Sequence, residues 1–439
     1  MGIEDMIKQQ VETFRNRLMD GLDESLDHSG VNSRRVAERL TALAEIGMTE
    51  EGGCRRISFS QEEKQAKELV KQWMEEDGLD THIDGAGNVF GRVEGETDGS
   101  AVVSGSHLDS VMHGGHFDGP LGVISALEVA SAWKDAGVKP AVPYKVVVFT
   151  DEEGARFNGG LLGSQSIVGE LDMDEEVKRV DFNGRAFTDV LADVGLTPEG
   201  FREAKRDVND IKAFVEVHIE QGKQLEKRDL PVGVVTGIAG PTWLSVTFSG
   251  VAGHAGNTPM DDRYDALVAA SEFILNVKDF PQQVSNSSVA TVGKLSVDPN
   301  GVNVIPGEVT LSVDIRDIKL EWKEELSKRI KDYATEVSEA HGVTVSVEET
   351  MNVAPVEVPE QMQAQAGEAM QETLGVEPYY LPSGAGHDAM ILGRYVPVGM
   401  LFTQSLDGVS HNPGEWSSLD DCVQTIHVLK RFVEKVIES

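Results

Sequence analysis

The chain has 439 residues, 40% of them hydrophobic, and 74 acids against 39 bases leave a formal charge of −35. That length exceeds what one hydrophobic core usually organises, so two domains are expected. The charge argues against nucleic acid and anionic membranes as partners, and no run approaches the roughly 18 apolar residues that span a bilayer.

The opening stretch, "MGIEDMIKQQVETFRNRL", carries charges where a secretion signal would be apolar, and the two cysteines, Cys54 and Cys422, are isolated in sequence. A cytoplasmic protein is therefore expected. The acids are spread along the chain and form no single tail, which predicts a solvated, self-repelling surface. Adaptation to a high-salt cytoplasm, where screening removes most of that repulsion, is the expectation drawn from it.

In chain order, "SAVVSGSH" (100–107) reads as a short strand and "GVISALEVASAWKDAG" (122–137) as a helix with a glycine stop. "YKVVVFTDEE" (144–153) and "AFVEVHIEQG" (213–222) have buried-strand patterns. Strands alternating with helices predict a mostly parallel sheet covered on both faces, with ligands at the carboxyl ends of the strands. His107, Asp151 to Glu153 and His218 to Glu220 all fall at such ends.

From about residue 240 the order becomes strand, helix, strand, strand, helix, strand, through "TWLSVTFSG", "DDRYDALVAASEFILNVKDF", "SSVATVGKLSV", "GEVTLSVDIRD", "KLEWKEELSKRIKDYATEVSEAHG" and "VTVSVEET". That order suits a ferredoxin-like α+β unit. "PVGMLFT" and the helix "LDDCVQTIHVLKRFVEKVIES" then resume the α/β alternation. The expected fold is an α/β domain over 1–237 and 351–439, interrupted by an inserted unit over 238–350.

"GSHLDSVMHGGHFDGPLGV" (105–123) sets His107, His113 and His116 among Asp109 and Asp118. Adjacent glutamates at a strand end point different ways, so Glu152 and Glu153 can serve different tasks, one binding a metal and the other acting as general base. His107, Asp118, Glu153, His218 and His411 together supply imidazoles and carboxylates without thiolate, the ligand set of hydrolytic zinc or a neighbouring divalent metal. Five ligands exceed one open zinc site and fit two ions when one carboxylate, best Asp118, bridges them. The "HLD" spacing lets Asp109 accept the second ring N–H of His107. His113 and His116 are expected to be polar loop residues.

"GSHLDSVMHGGHFDGPLGV", "TDEEGARF", "VEVHIEQG", "GHAGNTPM", "GVNVIPGEVTLSVDIRD", "GAGHDA" and "SHNPGEW", in that order from about residue 50 onward, resemble the amidase, hydantoinase and carbamoylase branch of the aminoacylase-like dinuclear metallohydrolases. In the peptidase branches the place of His218 is usually a carboxylate. The resemblance implies one metal at His107, Asp118 and His218 and a second at Asp118, Glu153 and His411, zinc first, with manganese, cobalt or nickel also admitted by such ligands. It implies Glu152 as general base and His254 as the group facing the tetrahedral oxyanion. Arg316 and Asn303 would clamp a substrate carboxylate, Gln221 and the loop Gly384, Ala385, Gly386 would hold a ureido group, and His387 and Glu415 would lie behind the ligands, Glu415 orienting His411.

The implied activity is hydrolysis of the linear ureido group of an N-carbamoyl-L-amino acid to the amino acid, ammonia and carbon dioxide. Allantoate amidohydrolase and β-ureidopropionase are the near alternatives. A dipeptidase, an aminoacylase or a non-catalytic metal-binding relative stand further off. The inserted unit is expected to act as a lid and pair two subunits, with His254, Asn303 and Arg316 serving the partner's site.

Overall fold

The computed structural model describes residues 2–20 and 22–439. The chain divides into two compact units: the first comprises residues 1–236, 358–381 and 387–439, and the second residues 237–357 and 382–386. The second thus extends seven residues past the expected boundary at 350, because its last long strand runs on to Asn352 and a two-residue pairing follows at Val356–Glu357.

The strands, in chain order, are β1 (Asp80–Ile83), β2 (Val89–Val93), β3 (Ala101–His107), β4 (Tyr144–Phe149), β5 (Ile211–Ile219), β6 (Val232–Ile238), β7 (Gly240–Ser249), β8 (Gly253–His254), β9 (Val289–Asp298), β10 (Val304–Ile305), β11 (Glu308–Asp317), β12 (Thr344–Asn352), β13 (Val356–Glu357), β14 (Tyr380–Ser383) and β15 (Val398–Thr403). The first unit's sheet runs β1-β2-β4-β3-β5-β15-β6. Its central four, β4-β3-β5-β15, are parallel, and antiparallel pairs flank them at both edges. Parallel strands are covered on both faces and read as continuous apolar runs. All seven residues of β3 are accordingly buried. The helix Pro120–Ala136, buried from Pro120 to Trp133, packs against β3 and β5.

Three helices, Ile3–Met19, Ser33–Glu45 and Gln61–Glu76, precede β1. Among the described residues no helix is long and apolar enough to cross a membrane.

The second unit is a four-stranded antiparallel sheet in the order β12-β7-β11-β9, with two long helices, Ala266–Val277 and Leu320–His341. This is the β-α-β-β-α-β arrangement expected from the sequence. Alternation explains its core: Leu244, Val246 and Phe248 of β7 and Val309, Leu311, Val313 and Ile315 of β11 bury one face against Phe273, Leu326, Ile330 and Val337.

Candidate metal centre

The first unit gathers all five sequence-predicted ligands. β3 ends at His107, and the loop that follows carries Asp118 to the start of the helix at Pro120. Gly119 is obligatory there: its φ is +81°, and a Cβ would lie 2.5 Å from the His107 ring. His218 comes from β5, Glu152 and Glu153 from the loop after β4, and His411 from the loop after β15.

The donor atoms fall into two groups, His107, Asp118 and His218, and Asp118, Glu153 and His411. Asp118 Oδ1 is 3.0 Å from His218 Nε2 and 3.6 Å from His107 Nε2. Its Oδ2 is 3.5 Å from His411 Nε2, which in turn is 3.5 Å from Glu153 Oε2. One carboxylate thus faces both groups, one oxygen to each.

The histidines are prepared for ligation. His107 Nδ1 is 3.0 Å from the Asp109 carbonyl and His218 Nδ1 is 3.0 Å from the Ile219 carbonyl. A carbonyl only accepts, so each Nδ1 carries the proton and each Nε2 presents its lone pair. His107 Nε2 is buried and has no hydrogen-bond partner. A buried nitrogen left unpaired beside carboxylates is the signature of a cation's place, and the donor set suits a hard-to-borderline divalent metal.

Electrostatics point the same way. Burial alone would lower the His107 pKa, yet Glu152, Asp118, Asp109 and Glu153 hold it well above its ordinary value. Burial drives Glu152 well above the usual carboxylate range, and Glu153, Asp388 and Asp109 add to the shift. Burial likewise raises Glu153, with Asp118 contributing. Asp118 goes the other way: burial is outweighed by His218 and His107, which hold its pKa well below normal. Carboxylates crowded in low dielectric leave a negative field that divalent cations would neutralise.

Glu152 and Glu153 diverge as the sequence suggested. Glu152 Oε2 lies 3.7 Å from His107 Nε2, on the first group's side, whereas Glu153 faces His411.

Several supporting roles differ from expectation. The His107 ring bonds the backbone carbonyl of Asp109; the Asp109 carboxylate is 3.7 Å away and instead accepts from the amides of Glu152 and Glu153 at 3.2 and 3.1 Å and from the Ser58 hydroxyl. A buried carboxylate satisfies itself with several N–H donors, so Asp109 fixes the glutamate loop. Glu415 does not bond His411: its Oε1 accepts from the amides of Phe117 and Asp118 at 2.9 and 3.0 Å. Gln221 places its amide on Asp118 Oδ2 at 2.7 Å, beside Ser410 Oγ at 3.2 Å. His387 is buried with its ring centroid 4.4 Å from that of His218. His113 is exposed, but His116 is a core residue, its ring against Phe14 and its Nε2 3.1 Å from the Gly52 carbonyl, with burial pushing its pKa down to about 4.

Two residues escaped sequence reading. Ser410 Oγ is 2.6 Å from Asp118 Oδ2. Glu216, fully buried on β5, accepts from the Ser106 hydroxyl and from the amide of Ala389. Its signal was present: an acid inside an apolar strand, two residues before His218 and on its side of the pleat.

The second unit holds the remaining candidates. The β8–β10 ladder pairs His254 with Val304, and the Ala255 amide donates to the Asn303 carbonyl, so His254 and Asn303 are neighbours and both are exposed. Arg316 donates from Nε and Nη2 to Asp314 and from Nη1 to the Gly384 carbonyl at 2.7 Å. A guanidinium has five N–H groups, so one remains on each of Nη1 and Nη2, the pair that a carboxylate takes bidentately. Ala385 turns back on the Ser383 hydroxyl, while Gly384 and Gly386 are exposed.

The model of the M20/M25/M40 peptidase family matches residues 78–435. An N-carbamoyl-L-amino acid amidohydrolase of Geobacillus stearothermophilus is 43% identical over 93% of this chain and 100% of its own length. The allantoate amidohydrolase of Bacillus subtilis is 35% identical over 87% of this chain and 92% of its own. Among solved structures, a hydantoinase/carbamoylase-family amidase from Burkholderia multivorans superposes with a TM-score of 0.87 at 32% identity, covering 93% of this chain and 99% of that one.

Proposed function

The chain belongs to the M20/M25/M40 peptidase family, and from that premise we propose that it is an N-carbamoyl-L-amino-acid amidohydrolase with two divalent metal ions per subunit, zinc first. One water and the ureido compound yield the amino acid, ammonia and carbon dioxide. The observation that carries the reading is the pair of donor groups sharing Asp118, with Glu152 beside them and outside both. The 43% identity to an N-carbamoyl-L-amino acid amidohydrolase, against 35% to an allantoate amidohydrolase, supports the substrate class.

When bound, divalent cations at such a site polarise a carbonyl and make water acidic enough to ionise near neutral pH. Within that setting Glu152 takes the proton of the attacking water at its carboxylate and returns it to the departing nitrogen. Asp109 keeps Glu152 in place through its backbone amide. Arg316 pairs the substrate carboxylate through its two remaining N–H groups, and Asn303 assists. His254 donates to the carbonyl oxygen that gains negative charge as its carbon becomes tetrahedral. The second unit acts as a lid and as the seam of a homodimer, with His254, Asn303 and Arg316 serving the partner's centre. Gln221 holds the ureido group, leaving Asp118 as it does so. The enzyme works in a cytoplasm of high salt.

A hydrolysis panel on metal-reconstituted protein tests this reading, with ammonia release as the readout. It comprises N-carbamoyl-L-amino acids of varied side chain, allantoate, N-carbamoyl-β-alanine and an N-acetyl amino acid. The N-carbamoyl-L-amino acids are expected to be turned over fastest; activity confined to the N-acetyl compound would overturn the proposal.

A further inference from the structure

One face of the second unit's sheet is covered by its two helices; the other carries a row of polar and aromatic residues around a cavity of about 360 Å³. Trp243 of β7 lines it, 42% exposed and directly opposite Asp314 of β11. Thr291, Gly293, Lys294, Ser312 and Thr350 also line it.

The cavity coincides with two irregularities. In the β11–β9 ladder Ser312 pairs with Lys294 and Val313 with Val292, so Gly293 is an extra residue. In the β12–β7 ladder Glu349 pairs with Leu244 and Met351 with Trp243, so Thr350 is extra. β9 and β12 are the two edges of this sheet, and the extra residue of each lines the same cavity. Bulges bend a strand and re-aim side chains, and they concentrate beside binding sites. Gly293 also leaves room: a Cβ there would meet only Ser312 Oγ, at 3.8 Å.

We propose that this cavity receives the side chain of the amino-acid substrate, and that Trp243 and Gly293 select large uncharged side chains, aromatic ones first. This rests on the reading of the protein as an N-carbamoyl-amino-acid hydrolase with Arg316 as carboxylate clamp. Three observations fix the occupant. Arg316 sits one two-residue step, about 7 Å, along β11 from Asp314 on the same face of the pleat, and the two side chains are hydrogen-bonded. A carboxylate held at Arg316 therefore has its α-substituent at the mouth of the cavity. The volume lies at the small end of ligand sites, fitting one side chain and not a second domain or helix. The Trp243 ring offers an aromatic wall, and the lining carries one charge of each sign, Asp314 and Lys294, so neither an acidic nor a basic side chain is favoured over an uncharged one.

The test is the ratio of kcat/KM for N-carbamoyl-L-phenylalanine to that for N-carbamoylglycine, measured in the metal-loaded full chain and in Gly293→Val and Trp243→Ala. Filling the cavity or removing its wall is expected to lower the ratio at least about tenfold, the scale on which pockets discriminate apolar groups. Gly293→Val enters open space, so it keeps the fold and remains informative should Trp243→Ala fail to express. A drop smaller than about fivefold in the folded variants, or a wild-type preference for N-carbamoyl-L-aspartate, overturns the pocket while leaving the activity standing. A wild-type protein inactive on every N-carbamoyl amino acid overturns the parent reading, and the pocket falls with it.

Discussion

The two units treat their functional residues in opposite ways. In the first, His107, Asp118 and His218 are buried, and each is oriented by a backbone carbonyl, by amides or by another side chain, while His411 lies at the exposed rim. In the second, His254 and Asn303 are exposed, and Arg316 keeps two donors free while Asp314 and the Gly384 carbonyl hold its other three. Charge explains the contrast. A cation site must be assembled before the ion arrives, because stray carboxylates in low dielectric are costly. A group that meets substrate must stay reachable. Removing a residue from the first unit should therefore abolish the centre or its chemistry, and removing one from the second should weaken recognition.

The largest expected effect is at Glu152. Glu152→Gln keeps the shape of the side chain and both donor groups, so metal content should equal wild type while kcat falls about 10³-fold, within the range for losing a general base. Steady-state kinetics beside elemental analysis checks this; a variant that loses metal as well would make Glu152 a ligand and erase its difference from Glu153.

Arg316→Ala comes next. Losing a charge-assisted pair that contributes about 1.5–3 kcal/mol should raise KM roughly 10- to 100-fold, with metal content unchanged. A fall in kcat alone would place Arg316 among the groups acting on the reacting atoms.

Glu415 gives a smaller effect that separates geometry from charge. Glu415→Ala frees the amides of Phe117 and Asp118 and should weaken metal affinity about tenfold, the lower range for groups behind a ligand. Glu415→Gln still offers an oxygen to both amides, and its affinity should remain within about threefold of wild type. Equal losses in both variants, read by titration with a chelator, would show that charge and not orientation is the contribution.

The smallest expected effect concerns the surface both units share. With a formal charge of −35 the folded chain repels itself, so the melting temperature should rise as salt screens that repulsion. A melting temperature independent of salt would remove the high-salt interpretation.

The framework and the two donor groups were legible in the sequence for a specific reason. β3, β4, β5 and β15 are apolar runs, and a histidine or acid at the end of such a run stands out against them. What lay hidden were the connections between distant loops. Glu415 bonds an amide 297 positions away in sequence, Gln221 reaches Asp118 across 103 positions, and neither contact leaves a periodic trace. Asp109 misled because "HLD" suggested a ring contact, whereas the loop after β4 brought two amides that satisfied the carboxylate better. The bulges at Gly293 and Thr350 were likewise illegible, since strand register is decided by partners and not by the strand itself.

The central claim is that Asp118 is shared between two metal positions. Its most direct test is the metal-to-protein ratio after dialysis against zinc or manganese, for wild type, His411→Ala and Asp118→Ala. Two ions per chain are expected for wild type, one for His411→Ala with His107, Asp118 and His218 intact, and none for Asp118→Ala. An Asp118→Ala protein that folds and still binds two ions would contradict it.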